Sequence, residues 1–473
     1  MRPLEISLVV LVVGAAVCLL SGRMRQIVQL FVAGSLVTAV AQGVFEGPHW
    51  QLLPAYAAIG LLCLVATKRG VEKPRLRIIR VSSALLLAAA TVVFCFALPM
   101  FRLPRPTGLY PVGTAILYFK DPGRTDDASP VAGSPRELMV QLWYPAEPSD
   151  NRIARYRRLR ETEPVSSYQS VLPTNSRLNA PVASSGGPFP VILFNHAWHG
   201  RRTNDTFLTE ELASHGYVVA SIDHTYNASV VSFPDGRVVH ENTPHEIDDF
   251  ESSTPERIRT VWDKELQKWT ADQRFILDRL EAMNRSADTP WFGRLNTNMA
   301  GAIGHSFGGA AATQECAEDR RVHAAVNMDG WFLGAIRGRG PNQPLLVMDN
   351  SVPDEGPNPG AKIESALDGS DSADLETSLH KYGGFVLLVR GAAHEDFTDE
   401  PLVSPLRMIS HRGTVPAQRM QNIVRSYVLA FFDKTLRGKD SVILRATSSP
   451  YAEVSIEVWP VALNSARAPI GTK

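Results

Sequence analysis

Apolar residues are spread unevenly along the chain, and their spacing divides it in two. Four nearly uncharged apolar segments open the sequence, at residues 6–20, 27–45, 52–66 and 78–101. Crossing a bilayer as a helix takes roughly 20 residues, so the first and third would span only if their flanks contribute or the bilayer thins. Four uncharged interiors in succession argue against buried globular helices. A cleaved leader does not account for the three segments behind the first. The connections differ sharply in charge. Arg23 and Arg25 lie between the first and second segments, and Lys68, Arg69, Lys73, Arg75, Arg77 and Arg80 lie around the third-to-fourth connection. The link from Glu46 to Trp50 has no lysine or arginine. Basic loops stay cytoplasmic, so both termini are expected outside the cytoplasm, with four spans between them. No paired carboxylates or buried basic residues within the segments suggest an ion or proton path, which leaves anchoring as their expected role.

From about Gly108 onward the pattern changes to short apolar runs alternating with amphipathic stretches. Residues 138–144, 190–194, 217–222, 299–303, 324–328, 345–348 and 385–389 read as strands, several of them apolar enough to be buried on both faces. Residues 207–215, 256–283, 310–316 and 418–436 read as helices. Residues 145–187 are polar and mixed, expected as loops, and Pro234-Asp235-Gly236 is a turn. Residues 354–376 are rich in acidic, glycine and proline residues but lack calcium-loop spacing, so a solvated loop or lid border is expected. Strands alternating with helices predict a mostly parallel sheet covered on both faces. The expected organisation is a transmembrane anchor over 1–101, a connector with first strands over 102–136, a catalytic domain over 137–440 and an extension over 441–473.

Charge and cysteine content narrow the classes. Lysine plus arginine equals aspartate plus glutamate, 48 each, and no basic stripe with interleaved aromatics suggests a nucleic-acid partner. Cys18, Cys63, Cys95 and Cys316 have the spacing of neither a disulfide framework nor a zinc site.

The stretch around which the second half is organised is Gly304-His305-Ser306-Phe307-Gly308-Gly309. It follows an apolar run and precedes an alanine-rich helix, the strand–turn–helix context that a G-x-S-x-G nucleophile elbow requires. A turn this tight needs flanking residues almost without side chains, and a helix N-terminus after the serine favours developing negative charge. With this elbow at its centre the expected architecture is an α/β hydrolase. A serine hydroxyl needs a base, which in this fold follows the serine in the chain with the acid between them. His323, His380, His394 and His411 follow Ser306. Only His394 stands in a loop just past a predicted core strand, and it is the expected base. Asp329 and Asp349 each end a predicted strand, and pattern alone does not separate them as the acid.

Several further motifs occur in a fixed order: Tyr110-Pro111-Val112-Gly113, Leu142-Trp143-Tyr144-Pro145, Phe194-Asn195-His196, Leu212-Ala213-Ser214-His215-Gly216-Tyr217, the elbow, Asp329-Gly330-Trp331 and His394-Glu395-Asp396-Phe397-Thr398-Asp399. In this succession the chain, from about Gly108 to about Leu436, resembles the plasma or type II platelet-activating factor acetylhydrolase family. The resemblance implies Asp329 as the acid, with Asp349 the alternative. It also implies short sn-2 acyl esters of phospholipids as substrates. One oxyanion N–H is expected from Phe307, after the nucleophile. The second is implied in the loop where the family carries His-Gly-x-Gly. Here that loop reads His196-Ala197-Trp198-His199-Gly200, with alanine for the first glycine and one more residue, and Trp198 is the matching donor. Trp198, Phe307, Trp331 and Phe332 would wall an apolar pocket. No cofactor is implied. His196, His199 and His224 lie on separate loops without a carboxylate in ligand spacing, so no metal is expected. The rival readings are a broader membrane-anchored esterase for small or polymeric esters, and a membrane sensor or scaffold whose hydrolase-like domain only binds.

Overall fold

Each N-terminal apolar segment becomes a helix: α1 (Pro3–Leu20), α2 (Arg25–Ala41), α3 (Leu53–Thr67) and α4 (Pro74–Ala97). Pro3 and Pro74 sit in first turns, where the missing N–H had no helical partner in any case. This computed structural model describes residues 1–21, 25–67, 73–242, 254–337, 340–351, 361–445 and 449–460. Arg23, Lys68 and Arg69 of the basic connections lie outside the described residues. The four helices, together with residues 155–173 and 402–410, form one of two compact units. Its core is built from small and branched residues such as Leu8, Val12, Ala15, Ala55, Leu62, Ala84 and Ala88.

Two expectations change here. Three helices are long and apolar enough to cross a membrane by length and composition: Pro3–Leu20, Gln26–Glu46 and Pro74–Ala97. The third segment forms a shorter apolar helix over Trp50–Ala66, because Gly47 and Pro48 break the chain just before it. The four expected spans are therefore three helices of spanning length and one shorter. Nor is the bundle free of buried charge. Glu5 is almost fully buried, where Arg2 donates to it from Nε at 2.5 Å and His49 Nε2 lies 3.1 Å away. His49 Nδ1 bonds Gln51 Oε1 at 2.8 Å, and Arg2 also donates to the Glu46 carbonyl. These contacts join the start of α1 to the α2–α3 connection. Within the same unit the Trp50 indole donates to the Val165 carbonyl at 2.8 Å, and Phe101 meets Tyr156 edge-on.

The second unit is organised by one sheet. Its strands are β1 (Val112–Thr125), β2 (Pro135–Pro145), β3 (Ile153–Arg155), β4 (Pro173–Leu178), β5 (Phe189–Asn195), β6 (Val218–Asp223), β9 (Leu295–His305), β10 (Val322–Met328), β11 (Leu345–Asn350), β12 (Gly384–Val389) and β13 (Val454–Trp459). The spatial order is β13-β12-β11-β10-β9-β5-β6-β2-β1-β4-β3. The run from β12 to β6 is parallel, with antiparallel β13 and β2 on its flanks. A separate hairpin of β7 (Val230–Ser232) and β8 (Val238–His240) surrounds the turn at Asp235. Helices α5 (Thr206–Ser214), α6 (Pro255–Arg285), α7 (Phe307–Glu318), α8 (Ala361–Tyr382) and α9 (Ala417–Arg437) accompany the sheet.

The chain leaves β5 toward β6 on one side, while β9 lies on the other. This reversal opens a crevice at the strand C-termini, where α/β sheets place their ligands. The elbow follows β9, so it lies at that crevice. Two expected loop stretches are corrected, and the expected extension contributes a strand. Residues 361–376 belong to α8 rather than to a loop; residues 354–360 lie outside the described residues. The mixed stretch 145–187 contains β3 and β4, and residues beyond 440 supply the edge strand β13.

The first hairpin is tied to α6 by one buried arginine. Arg136, with a side chain 2% exposed, donates from Nε and Nη2 to Asp272 at 3.1 and 2.6 Å and from Nη1 to Asp126 at 2.7 Å. Removing one partner of such a set leaves buried charge without compensation. Arg136→Ala is expected to lower unfolding free energy by about 3–5 kcal/mol in denaturant melts; a loss below about 1 kcal/mol would contradict this.

Candidate active site

β9 ends in a residue whose backbone few side chains tolerate. Ser306 has φ 55° and ψ −126°, a left-handed conformation between strand and helix. The turn closes because both neighbouring positions are glycine. A Cβ on Gly304 would stand 2.2 Å from the Gly308 carbonyl, and one on Gly308 would stand 2.4 Å from the carbonyl oxygens of Asn195 and His196. The start of α7 is thus pressed against the end of β5 as well as against its own strand. Phe307 is the first residue of α7, so its N–H is among those a helix leaves without an internal acceptor.

Asp329 follows β10 and also has a positive φ, 58°. Its carboxylate is held on three sides. Asn350 donates from its backbone N–H to Oδ1 at 2.9 Å and from its side chain to Oδ2 at 2.6 Å, while His394 Nδ1 lies 2.5 Å from Oδ2. Burial works to raise the carboxyl group. The bond to His394 and its charge, with the Asn350 N–H, outweigh burial and hold it below the usual aspartate range. His394 sits in a turn after β12 that is itself pinned. Asp396 Oδ2 accepts the N–H groups of Ala393 and Gly413, and Asp399 accepts the N–H of Thr206 at 2.7 Å. His305, next to the serine, donates from Nε2 to the His394 carbonyl at 2.8 Å, with ring centroids 4.5 Å apart.

The residues singled out in the sequence therefore separate into groups. Asp329 and His394 are brought together, and the His305 bond brings the His394 turn against the elbow. Asp349, at the end of β11, lies within reach of the Asp329 charge. Burial, and then the charge of Asp329, push its carboxyl up to about 7. Trp198 and Phe307 meet edge-on at 4.8 Å. Trp198 also stacks on Trp269, 5.8 Å away with planes 7° apart, and Trp331 stacks on Trp262 at 4.7 Å. These rings, with Ile258, Leu266 and Leu333, form one apolar cluster. Phe332 is not part of it. Its side chain turns into the main core beside Ile336 and Leu345, so its expected place in the pocket wall is corrected. Consecutive residues point to opposite sides here: Trp331 and Leu333 take the cluster side, and Phe332 between them takes the other.

The sequence reading missed Asn350 and Trp262. Asn350 carries no pattern signal beside Asp349. The tryptophans of α6 repeat at helical spacing, at 262 and 269, which reads as core burial whether or not a site lies alongside. Among the described residues no group of three or more histidine, cysteine or acidic side chains is placed to hold a metal.

A mostly parallel sheet, a serine elbow after its central strand and an Asp–His pair on the next strand ends define an α/β hydrolase. Residues 101–443 match the model of the family described as platelet-activating factor acetylhydrolase, isoform II, and the chain belongs to that family. A probable 1-alkyl-2-acetylglycerophosphocholine esterase of Arthroderma benhamiae is 25% identical over 406 residues, covering 75% of this chain and 93% of that protein. The platelet-activating factor acetylhydrolase of Cavia porcellus is 23% identical over 376 residues, covering 71% and 78%. A solved ferulic acid esterase from Streptomyces cinnamoneus is 31% identical, covers 75% of this chain and 99% of its own, and superposes with a TM-score of 0.61.

The two acids make a test with a sign. Unfolded, the Asp349 carboxyl releases its proton near pH 4, and folded it keeps it until about 7. Folding therefore takes up a proton between those values, and stability falls as pH rises through them. Asp349→Asn is expected to raise the melting temperature over wild type at pH 8 and to bring no gain at pH 4, with turnover largely kept. Asp329→Asn is expected to cut kcat by about 10³–10⁴-fold. A crippled Asp349→Asn, or a stability gain independent of pH, would contradict this assignment.

Proposed function

We propose that this carboxylic ester hydrolase cleaves short acyl esters at the sn-2 position of phospholipids, through an acyl-enzyme on Ser306. The observation that carries the reading is the 2.5 Å contact between His394 Nδ1 and Asp329, adjoining the strained Ser306 turn. With Nδ1–H directed at Asp329, His394 Nε2 is the nitrogen that takes the Ser306 proton as Oγ attacks the ester carbonyl. The developing oxyanion is met by the N–H groups of Phe307 and Trp198. As the tetrahedral intermediate collapses, the C–O bond to the glycerol oxygen breaks and Nε2 returns the proton to that oxygen. Water, deprotonated by the same nitrogen, then attacks the acyl carbon; the C–O bond to Ser306 Oγ breaks, Nε2 returns the proton to Oγ, and the acid is released. Asp329 fixes the tautomer and stabilises the imidazolium without taking the proton.

The substrate class rests on the relatives' printed activities and on the family to which the chain belongs. A second reading, a broader esterase, is favoured by one observation. The partly exposed Trp198 ring, edge-on to Phe307, offers a flat apolar face that suits an aromatic acyl group as well as an acetyl group, and a solved relative is a ferulic acid esterase. These folds change substrate through their loops.

The helices of residues 1–101 act as a membrane anchor in this reading, with the hydrolase outside the cytoplasm. The support is the excess of basic residues in the first and third connections against their absence from Glu46 to Trp50. For both termini to share one side, α3 must cross as well. It packs on both α2 and α4, so it shares their depth, and local thinning of the bilayer accommodates its shorter length.

Three measurements test the reading. Ser306→Ala and His394→Ala should each abolish most turnover, and the double variant should be barely worse, since triad members act as a unit; additive losses would show that they do not share a step. With chain length varied, kcat/KM should peak at short acyl groups. Removing residues 1–101 should lower activity on phospholipid vesicles while sparing a soluble short-chain ester. A preference for hydroxycinnamoyl or long-chain esters without phospholipid turnover would favour the broader esterase.

A further inference from the structure

The oxyanion loop departs from the glycine-rich form its family carries, yet one peptide in it is held from two sides. The Ala197 carbonyl accepts from the Gly200 N–H at 2.8 Å and from the His196 ring, whose Nδ1 lies 2.6 Å away. The same peptide unit carries the Trp198 N–H. A peptide is planar, and in its trans form the C=O and N–H point in opposite directions. Fixing the Ala197 carbonyl therefore fixes the direction of the Trp198 N–H.

The His196 ring can donate from Nδ1 only if that nitrogen carries the proton, and its other nitrogen decides this. Nε2 lies 3.2 Å from the backbone N–H of His224, which can only donate. Nε2 is thus an acceptor and the proton sits on Nδ1. The ring is fully buried, and burial lowers its pKa, in keeping with a neutral imidazole that has one donor and one acceptor. The His224 backbone is itself kept in place. Its ring stacks on Trp269 at 3.8 Å, with Nδ1 2.9 Å from Asp272 and Nε2 3.1 Å from Asn195 Oδ1. Asn195 is held in turn by Gln273 and the Ile303 carbonyl of the nucleophile strand.

We propose that His196 is a positioning residue that aims the Trp198 N–H at the oxyanion. The His196 ring holds the Ala197–Trp198 peptide by its Nδ1–H, in the tautomer set by the His224 backbone. His196 touches no reacting atom and acts only through that peptide. The inference rests on the esterase reading, with Trp198 as the second donor.

The ring's two nitrogens can be separated by substitution. Asparagine places an amide donor near the Nδ1 position, whereas glutamine places its amide near Nε2. In the full-length protein with 4-nitrophenyl acetate, His196→Gln should lower kcat by about 10²–10³-fold, the usual cost of losing an oxyanion donor, with KM little changed. His196→Asn should keep kcat within about tenfold of wild type. The rate of Ser306 labelling by a fluorophosphonate should fall in parallel with kcat, since that reagent also places an oxygen in the hole. Rates are compared per folded molecule, from thermal melts, so a general loss of stability does not mimic the effect. Equal kcat in the two variants, or a loss expressed in KM alone, would overturn the proposal. Ser306→Ala run alongside separates the two levels: activity surviving in that variant would sink the esterase reading itself. Wild-type dependence on Ser306 with no Asn–Gln difference would sink only the positioning role of His196.

Discussion

The turn at Ser306 exists only because three backbones approach closer than any side chain would allow. Gly304 and Gly308 are in mutual contact, and Gly308 also lies under the carbonyls of Asn195 and His196. That single crowding fixes β9, the start of α7 and the loop after β5 relative to one another. The Phe307 N–H, the Trp198 loop and the serine consequently share one small region before any side chain is considered. The remaining site residues are brought there by parallel pairing of β10, β11 and β12, each of which delivers its loop to the same sheet edge.

Around this frame the polar groups are positioned by partners rather than by their own rigidity. Asn350 and His394 share the Asp329 carboxylate, and Asp399 ties the His394 turn to the start of α5. The buried set of Arg136, Asp272, His224 and Asn195 continues from the first hairpin to the end of β5. Such a network brings little net stability compared with an apolar core, but breaking one member is costly. Its value here is that it leaves the oxyanion loop one conformation.

Much of this was legible in the residues. The elbow is a local motif whose glycines and flanking periodicity encode strand, turn and helix together, so Ser306 and the core strands could be read directly. His394 followed from its place after a strand. The choice between Asp329 and Asp349 was not local, because both end strands; in the sequence only the family resemblance favoured Asp329, the residue bonded to His394. Asn350 gives no pattern at all. The α8 helix was hidden because its glycine, serine and aspartate content has low helical propensity, which tertiary context overrode. Phe332 shows the limit of reading a pocket from adjacent aromatics, since neighbouring side chains diverge. In the N-terminal unit, composition revealed the helices, whereas the buried contact of Glu5 with His49 joins residues 44 positions apart and could not be read from spacing.

The central claim is that ester cleavage passes through a covalent acyl group on Ser306, held beside His394 and Asp329. It is tested most directly by mixing enzyme with excess chromogenic acetyl ester, quenching in acid within the first turnover, and mapping the acetylated peptide by mass spectrometry. The expected result is a burst of about one equivalent per enzyme, with a single acetyl group on the peptide that contains Ser306. Steady turnover with no acetyl-enzyme at any quench time, or acetyl found on a different residue, would contradict the claim.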